Sequence, residues 1–340
     1  MSTVAGRGLS RYDASALLSG DVPGLLIVAS RDPDAKVTYL PAAALPGRDE
    51  ELVVKLATSA GADDAVEREG RMLVELRRRG LGEVAGTVPR YVASRRLAGR
   101  HAVISTAMPG RPMSVDYHGW WHTARPDRVH RDFTTAEDWL SRFQAATACT
   151  PGPLTWPFDV GEALAHRWDG HPDLDRALAR VEKAAREIAG SLGPRTAVHG
   201  DFWFGNLMVA GGKVVGVVDW EAAEPVGAPH RDLARFAISY SLYLDRHTRP
   251  GHRVIGHPGL RRVGTAPALV HGLTGHGWYP RLVRGFLSAG LTRLGVPARG
   301  WYDVALCGVA EVAAHANDDR FAEDHLQVLA TLPTHARRQR

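Results

Sequence analysis

Three oxygen-bearing side chains, Asp201, Asn206 and Asp219, stand at a spacing that could bind a metal ion and activate a hydroxyl group. Asn206 follows Asp201 by five residues, and Asp219 follows Asn206 by thirteen. Between the last two, a pair of short apolar segments flanks Gly211 and Gly212, which predicts a β-hairpin. Because the two ends of a hairpin lie close together, Asn206 and Asp219 are expected to direct their oxygens toward one point.

This arrangement contains the parts that phosphoryl transfer requires. Mg²⁺ prefers oxygen ligands from a few side chains together with substrate phosphates, so Asn206 and Asp219 are the predicted metal ligands. Asp201 is predicted to accept the proton of an attacking hydroxyl, since this reaction depends on positioning and charge neutralisation. Each residue alone has an ordinary explanation, as part of a turn or as a helix cap. The joint pattern His-x-Asp-x4-Asn, followed by an Asp that ends a hydrophobic hairpin, is typical of kinases.

The elements that must position these residues begin with strands. Up to about residue 108, the pattern predicts an α+β unit of three strands, one helix and two more strands. The predicted strands are 24–30, 36–40, 51–56, 87–93 and 101–108, and the predicted helix is 63–79. After Pro109 and Gly110 the pattern becomes mainly helical. The predicted domains are therefore 1–108 and 111–340, with a hinge at about 105–110.

In the second domain, helices are expected around the predicted hairpin. A motif at Thr135 that resembles a capping box predicts a helix start. Residues 173–189 predict another helix, and helices return near residue 231 after a loop from 195 and the hairpin. Cys149 and Cys307 lie in apolar patterns that predict buried helical positions.

Composition and charge narrow the functional classes. The 340 residues are 44% hydrophobic and 23% charged with a net charge of +5, and the arginines are scattered, so no nucleic-acid partner is expected. No apolar run approaches the ~20 residues of a membrane span, and no signal-peptide pattern opens the chain. The two cysteines have no metal-binding spacing and fit a reducing cytosol, which predicts a cytoplasmic location. The oligomeric state stays open.

The motifs His199-Gly200-Asp201, Asn206, Asp219-Trp220-Glu221 and Asp232-Leu233-Ala234 together resemble the aminoglycoside phosphotransferase and choline kinase-like superfamily, which has a protein-kinase-like fold. The resemblance extends from about residue 24 to residue 236. It implies a two-lobed fold, with a nucleotide-binding N-lobe of antiparallel sheet plus one helix and a mainly helical catalytic C-lobe. It also implies a small-molecule kinase that uses Mg²⁺ and ATP, with GTP not excluded. The acceptor would be a hydroxyl of an aminoglycoside-like antibiotic, a sugar, a polyol or an amino alcohol.

The resemblance extends to residues that bind the nucleotide. Lys55, in the third predicted strand, corresponds to the lysine on the phosphates. Its partner in the family is a glutamate of the following helix. Glu69 precedes Leu73 and Leu76 by four and seven residues and so borders the buried stripe, and because this spacing resembles that of the family's helix, Glu69 is the expected partner. In the family, the linker between the lobes offers backbone groups to adenine. Here that linker contains Ser105, Thr106, Ala107 and Met108.

Other residues keep two interpretations. His199 is expected to hold the catalytic loop by hydrogen bonds, whereas Asp232 either caps a helix or braces that loop. Trp203 and Trp220 either line the substrate pocket or pack beneath the loop. Glu221 and Glu224 are the nearest acidic candidates for substrate contacts.

The first predicted hairpin departs from the protein-kinase pattern because it lacks GxGxxG. Its turn is Arg31-Asp-Pro-Asp-Ala35, in which the two carboxylates would repel phosphates. Either such a turn is ordinary in this family, or the nucleotide is bound weakly or nearer Ser30.

The charge balance bears on the acceptor. From residue 222 to residue 340 there are nine acidic residues against fifteen Lys plus Arg, which favours a neutral or anionic acceptor over a polycation. The Gly-, His- and Arg-rich segment 240–278 is either a substrate-recognition insertion or a surface loop. The alternative to an enzyme is a pseudokinase-like nucleotide-binding regulator without turnover. The intact set Lys55, Asp201, Asn206 and Asp219 argues against it, and the absence of an APE motif after Asp219 argues against a protein kinase.

Overall fold

The N-terminal region of the chain forms an antiparallel sheet and one long helix. In this computed structural model, the described residues are 24–28, 36–41, 51–97, 99–154, 156, 159–244, 260 and 264–333. The strands are β1 (Gly24–Val28), β2 (Lys36–Pro41), β3 (Leu52–Ala57), β4 (Tyr91–Leu97) and β5 (Arg100–Thr106), and helix α1 (Ala60–Arg79) lies between β3 and β4. The strands pair in the order β1-β2-β3-β5-β4, every pair antiparallel, so β3 is the central strand. The predicted order of elements is confirmed, although β4 begins later than expected because Gly82–Thr87 forms a short 3₁₀ helix.

Local signals explain the length of α1. The hydroxyl of Ser59 accepts a hydrogen bond from the backbone N–H of Ala62 at 3.1 Å and caps the first turn. Gly80 ends the helix with a φ of 67°, which glycine adopts without strain. The buried face of α1 packs on β3 and β5. It comprises Ala62, Val66, Glu69, Gly70, Met72, Leu73 and Leu76.

The C-terminal region is mainly helical. Its helices are α2 (Met113–Tyr117), α3 (Pro126–Thr147), α4 (Asp159–Arg167), α5 (Leu174–Ala189), α6 (His230–Leu242), α7 (Thr265–Thr274), α8 (Trp278–Arg293), α9 (Trp301–His315) and α10 (Asp319–Thr331). Helix α9 is buried along most of its length and packs against α4, α5, α6 and α10. It therefore forms the centre of this region, and α6 lies between it and the loop that contains Asp201.

Two small sheets hold the predicted catalytic segment. One contains β6 (Arg111–Pro112), β9 (Leu207–Ala210) and β10 (Lys213–Val217), and the other contains β7 (Cys149–Pro153), β8 (Leu192–Val198) and β11 (Glu224–Gly227). The predicted β9–β10 hairpin is present. The loop with Asp201 leaves β8 and enters β9, so each of its ends belongs to a different sheet.

Three local predictions were wrong. Thr135 does not start a helix, because α3 begins nine residues earlier at Pro126, whose fixed φ suits a first helical position. Cys149 is exposed in β7, whereas Cys307 is buried in α9 as expected. The loop predicted from residue 195 begins later, because Leu192–Val198 is β8. Its glycine and proline conceal the strand in the sequence, and pairing with β7 and β11 stabilises it.

Among the described helices, none combines the length and the apolar composition that crossing a membrane would require.

His230, the first residue of α6, is fully buried and supports a pH prediction. Neither ring nitrogen has a hydrogen-bond partner among the described residues, and the ring lies 5.1 Å from that of Trp156. Burial, together with the positive charges of Arg231 and Arg195, lowers the pKa of His230 to about 3. The folded protein therefore keeps this histidine neutral at pH values where the unfolded chain protonates it.

We expect His230→Leu to reduce acid destabilisation. Between the ordinary pKa of 6.5 and about 3 the unfolded state binds the extra proton. The free energy of unfolding therefore falls as the pH falls, by up to about 1.4 kcal/mol per pH unit from this group. Urea unfolding at pH 6.5 and pH 5.0 should show wild type losing about 1–2 kcal/mol more than His230→Leu. His130→Leu, at an exposed position, is the control. Equal losses in wild type and His230→Leu would contradict the prediction.

Candidate active site

Five side chains that the sequence singled out line a cavity of ≈ 590 Å³ between the five-stranded sheet and the helical region: Lys55, Asp201, Trp203, Asp219 and Glu221. Strands β2 and β3 contribute Lys36, Thr38 and Lys55, and α1 contributes Arg68. The remaining polar and aromatic lining comes from the C-terminal region and consists of Asp201, Trp203, Asp219, Glu221, Arg235, Ser239, Tyr243, Asn317 and Phe321.

Lys55 joins the sheet, α1 and the β9–β10 hairpin through ion pairs. Its Nζ donates to both carboxylate oxygens of Glu69 at 2.8 Å and to Oδ1 of Asp219 at 2.7 Å. Glu69 is only 3% exposed, so the glutamate expected from its spacing is the one that contacts Lys55. Burial opposes the charge of Lys55, but the two carboxylates outweigh it and raise the lysine pKa. Burial would raise the pKa of Asp219, whereas Lys55 and Lys36 lower it to about 2.

Asn206 and Asp219 lie at the two ends of the β9–β10 hairpin. The N–H of Val218 donates to the carbonyl oxygen of Asn206 at 3.0 Å, which holds those ends together. Gly211 and Gly212 make the turn with φ values of 57° and 74°. Asp219 itself has a φ of 71°, a conformation that costs a non-glycine residue about 1–3 kcal/mol. The surrounding ion pairs hold Asp219 in this conformation with its carboxylate toward the sheet.

Asp201 is held through both of its carboxylate oxygens. The side-chain amide of Asn206 donates to Oδ2 at 3.1 Å and to the backbone carbonyl of Asp201 at 3.0 Å. Arg235, on α6, donates from Nε and Nη2 to Oδ1 at 2.9 and 2.7 Å. The sequence reasoning missed Arg235. The available signal was its position one helical turn after Asp232, on the helix expected to support the loop.

His199 and Asp232 shape the start of the catalytic loop. Asp232 accepts hydrogen bonds from the backbone N–H groups of His199 at 2.8 Å and Gly200 at 2.9 Å. Of the two interpretations of Asp232, the structure therefore has the brace, since it makes no side-chain cap on α6. Burial raises the pKa of Asp232 to about 7, while the two amides act in the opposite direction. The ring of His199 hydrogen-bonds to the carbonyl oxygen of Val218 at 3.0 Å, and burial lowers its pKa.

Gly200 permits the close approach of this loop to the segment after Asp219. Its φ is 78°, and a Cβ added there would lie 2.1 Å from the carbonyl oxygen of Ala222. A larger residue would push the catalytic loop away from that segment.

The two tryptophans have different positions. Trp203 is partly exposed and lines the cavity. Trp220 is fully buried, its ring centroid 4.5 Å from that of His199, and its indole N–H donates to the carbonyl of Val217 at 2.8 Å. Trp203 is thus available to a ligand, whereas Trp220 packs beneath the loop.

Glu221 and Glu224, the two acidic candidates for substrate contacts, also have different positions. Glu221 lines the cavity and forms an ion pair with Lys36. Glu224 lies in β11, away from the cavity lining, and pairs with Arg231. Arg231 also donates to Glu311 at 2.5 Å, so Glu224 belongs to an ion-pair network between β11, α6 and α9 that is centred on the buried Arg231.

The carboxylates near Lys55 have the composition of a divalent-cation site. One oxygen each from Glu69, Asp219 and Glu221 lie within 4.8 Å of one another. Hard oxygen donors of this kind suit Mg²⁺, which completes its octahedral shell with waters and phosphate oxygens. Glu221 thus joins the sequence-predicted Asn206 and Asp219 as a candidate ligand.

The segment from Ser105 to Met108 leaves β5 and leads into the C-terminal region. The backbone N–H of Thr106 donates to the carbonyl oxygen of Arg90 at 3.0 Å, and that of Ala107 donates to the carbonyl oxygen of Glu51 at 2.8 Å. Met108 packs against Gly216, where an added Cβ would lie 2.6 Å from the Met108 Cβ. None of these four residues lines the ≈ 590 Å³ cavity.

Comparisons with known proteins identify the family and the fold of this chain. A family model described as "APH: Phosphotransferase enzyme family" matches residues 44–263. A search of curated proteins returns no significant match.

Solved structures share the fold at low sequence identity. One is a thermostable mutant of aminoglycoside phosphotransferase APH(4)-Ia in ternary complex with AMP-PNP and hygromycin B. Its TM-score is 0.54 at 12% identity, and the alignment covers 94% of this chain and 95% of that chain. The apo form of a thermostable mutant of the same enzyme has a TM-score of 0.53 and 15% identity, over 93% of this chain and 96% of that chain. Aminoglycoside-3'-phosphotransferase of type VIII has a TM-score of 0.50 and 19% identity, over 88% of this chain and 98% of that chain. The predicted kinase-like α+β fold is confirmed.

Proposed function

The chain belongs to the phosphotransferase enzyme family, and on this premise we propose that it transfers the γ-phosphate of ATP to a hydroxyl group of a small molecule. The observation that carries this proposal is the convergence of the Lys55–Glu69–Asp219 cluster and the Asp201 loop on one cavity. The Lys55–Glu69–Asp219 cluster suits a nucleoside triphosphate with its metal ion, and the Asp201 loop suits an attacking hydroxyl.

Each residue has a role that follows from its contacts. Lys55, oriented by Glu69, binds phosphate oxygens. Asp219 and Asn206 would hold Mg²⁺, with Glu221 as a further carboxylate. When bound, Mg²⁺ neutralises charge on the phosphate oxygens.

Asp201 would accept the proton of the acceptor hydroxyl. Arg235 fixes the direction of this carboxylate, since two donors meet one oxygen. Asn206 and the Asp232 brace keep the loop that carries Asp201 in place. His199 contributes through hydrogen bonds and not through proton transfer.

The nucleotide would bind between an N-terminal domain, residues 1–108, and a C-terminal domain, residues 111–340. We assign the adenine to the hinge at 105–110. Because the N–H groups of Thr106 and Ala107 already donate to Arg90 and Glu51, the base would meet the remaining main-chain groups of Ser105–Met108. Recognition of the base by main-chain groups is compatible with ATP and does not exclude GTP.

The acceptor that the cavity favours is neutral or anionic. Each aspartate or glutamate in the cavity lining has a basic partner: Asp201 pairs with Arg235, Asp219 with Lys55, and Glu221 with Lys36. A polycation would have to displace these partners. The aromatic rings of Trp203, Tyr243 and Phe321 offer apolar faces instead. Among aminoglycoside-like antibiotics, sugars, polyols and amino alcohols, we therefore propose sugars or polyols, in contrast to the hygromycin B bound by the APH(4)-Ia mutant.

The test is ADP release by the purified protein with Mg-ATP over an acceptor panel. The panel contains a hexose, myo-inositol, a neutral glycosylated antibiotic, choline and kanamycin. We expect kcat/KM for the best neutral acceptor to exceed that for kanamycin at least about tenfold, equivalent to about 1.4 kcal/mol. A preference for kanamycin would contradict the acceptor class. ATP binding without turnover on any acceptor would favour the pseudokinase-like alternative.

The cytoplasmic location and the absence of a nucleic-acid partner stay predictions.

A further inference from the structure

Lys36, the first residue of β2, faces the cavity. In the β2–β3 register, Lys36 pairs with Ala57, and Thr38 pairs with Lys55. Alternate residues of a strand, and residues directly opposite across a pair, share one face of a sheet. Lys36, Thr38 and Lys55 therefore lie on the same face, and the sheet presents two lysines to the cavity.

The ammonium group of Lys36 is held across the cavity. It forms an ion pair with Oε2 of Glu221, two residues after Asp219, and the two side chains are 21% and 23% exposed. The carboxylates of Asp219, Glu69 and Asp201 are near enough to act on its charge, as is the ammonium of Lys55. Lys36 is thus a partly buried cation beside the oxygen cluster that suits the metal.

The choice of lysine at this position is unusual for this chain. Of its 42 basic Lys and Arg residues only four are lysines, and two of them, Lys36 and Lys55, line the cavity. Lysine carries a compact charge on a flexible stem, and it can change partners without the planar geometry that arginine requires. The other two lysines, Lys183 and Lys213, do not line the cavity.

The residues just before Lys36 give little support for phosphates. The sequence Arg31-Asp-Pro-Asp-Ala35 lies outside the described residues, and it lacks the glycines of a phosphate-cradling turn. Its proline has no N–H to donate, and its two carboxylates repel phosphate oxygens. The sequence of this segment therefore supplies no phosphate-binding motif, and the cations that line the cavity would have to bind the triphosphate.

We propose that Lys36 is a second phosphate-binding cation of the nucleotide site, held by Glu221 until the triphosphate replaces that carboxylate as its partner. This inference rests on the proposed function, because it assumes that a nucleoside triphosphate binds in the cavity. When Lys36 leaves Glu221, the carboxylate of Glu221 becomes available to the metal. One exchange of partners therefore makes Lys36 available to the phosphates and Glu221 available to the metal.

The first experiment measures the Kd of ATP and of AMP by isothermal titration calorimetry for wild type, Lys36→Met, Lys55→Met and Lys213→Met. We expect Lys36→Met to raise the Kd of ATP about 10–100-fold and to change the Kd of AMP less than about twofold. Lys213→Met, at an exposed position, should behave like wild type. Equal weakening of ATP and AMP, or no weakening, would overturn the inference.

Glu221→Gln separates a phosphate cation from a structural ion pair. If the pair only holds the cavity together, Lys36→Met and Glu221→Gln should weaken ATP binding alike. We expect opposite changes in the Kd of ATP when metal is removed with EDTA. Glu221→Gln should bind ATP several-fold more tightly than wild type, because Lys36 no longer has a carboxylate that competes with the phosphates. Weaker binding by Glu221→Gln under these conditions would overturn the inference.

A measurement on wild type avoids dependence on variant folding. An acyl phosphate of ATP transfers its acyl group to lysines beside the phosphates, and mass spectrometry can assign the label among four lysines. We expect label on Lys36 and Lys55, suppressed by excess ATP but not by excess AMP. Label on Lys55 alone would contradict the role of Lys36 while leaving the proposed function intact. Failure of wild type to bind ATP would reject both.

Discussion

Replacing Asp201 by asparagine is expected to lower kcat about 10²–10⁴-fold, because a positioned general base contributes about that much. The amide keeps the shape of the side chain but cannot act as a base toward the hydroxyl proton of the small molecule. Asp201 is distinct from the Lys55 cluster, so the Kd of ATP should change little. Steady-state ADP release and calorimetric ATP binding, measured on the same preparation, check both expectations.

The matched control for Asp201→Asn is Asp138→Asn. Asp138 is an exposed carboxylate on α3 that pairs with Arg142, and its replacement should leave kcat unchanged. Because Asp201→Asn also removes the negative charge that Arg235 pairs with, thermal unfolding should be followed for both variants. Wild-type kcat in a folded Asp201→Asn protein would contradict the assignment of the base. Loss of ATP binding in that protein would instead place Asp201 in the nucleotide site.

Replacing Asp219 by asparagine is expected to lower kcat at least about 10²-fold, because charge stabilisation by a metal is worth several kcal/mol and each 1.36 kcal/mol is tenfold. The variant loses a carboxylate from the oxygen cluster and one of the two carboxylates that hold Lys55. Unlike Asp201→Asn, it should also weaken ATP binding and raise the Mg²⁺ concentration for half-maximal turnover. A Mg²⁺ titration of ADP release measures this shift.

Asp116→Asn is the control for Asp219→Asn. Asp116 pairs with Arg111 at 2.7 Å outside the ≈ 590 Å³ cavity, so its loss should not alter the Mg²⁺ requirement. An unchanged Mg²⁺ requirement in Asp219→Asn would show that the metal is held by other groups. The Asn206 and Glu221 side chains would then be the next to test.

Local patterns were enough for the main elements of the site. The Gly211-Gly212 turn between two apolar segments predicted the hairpin, and the structure has it. The resemblance implied a glutamate on the following helix as the partner of Lys55, and the position of Glu69 beside the buried stripe selected that residue, which Lys55 contacts at 2.8 Å. The hairpin and the choice among the glutamates depend on spacing within one element, which the sequence states directly.

Contacts between distant segments were harder to predict. Arg235 and Asp201 lie 34 residues apart, and Lys36 and Glu221 lie 185 apart. Nothing in the spacing of charged residues tells which arginine faces which carboxylate when 42 Lys and Arg are present. The strand β8 was missed for the same reason, because its pairing with β7 and β11 outweighs the unfavourable glycine and proline.

The stretch from His199 to Glu221 by itself determined the reaction class, because the types and spacing of its polar residues suit phosphoryl transfer and little else. Only the tertiary structure decided that Asp232 braces the loop, that Trp220 is buried, and that Glu224 lies away from the cavity. It also decided the charge of the cavity, since each carboxylate is neutralised by a cation from another element. The physical reason is that hydrogen bonds and ion pairs depend on distances of about 3 Å. Such distances between remote residues are set by how the sheet and helices pack.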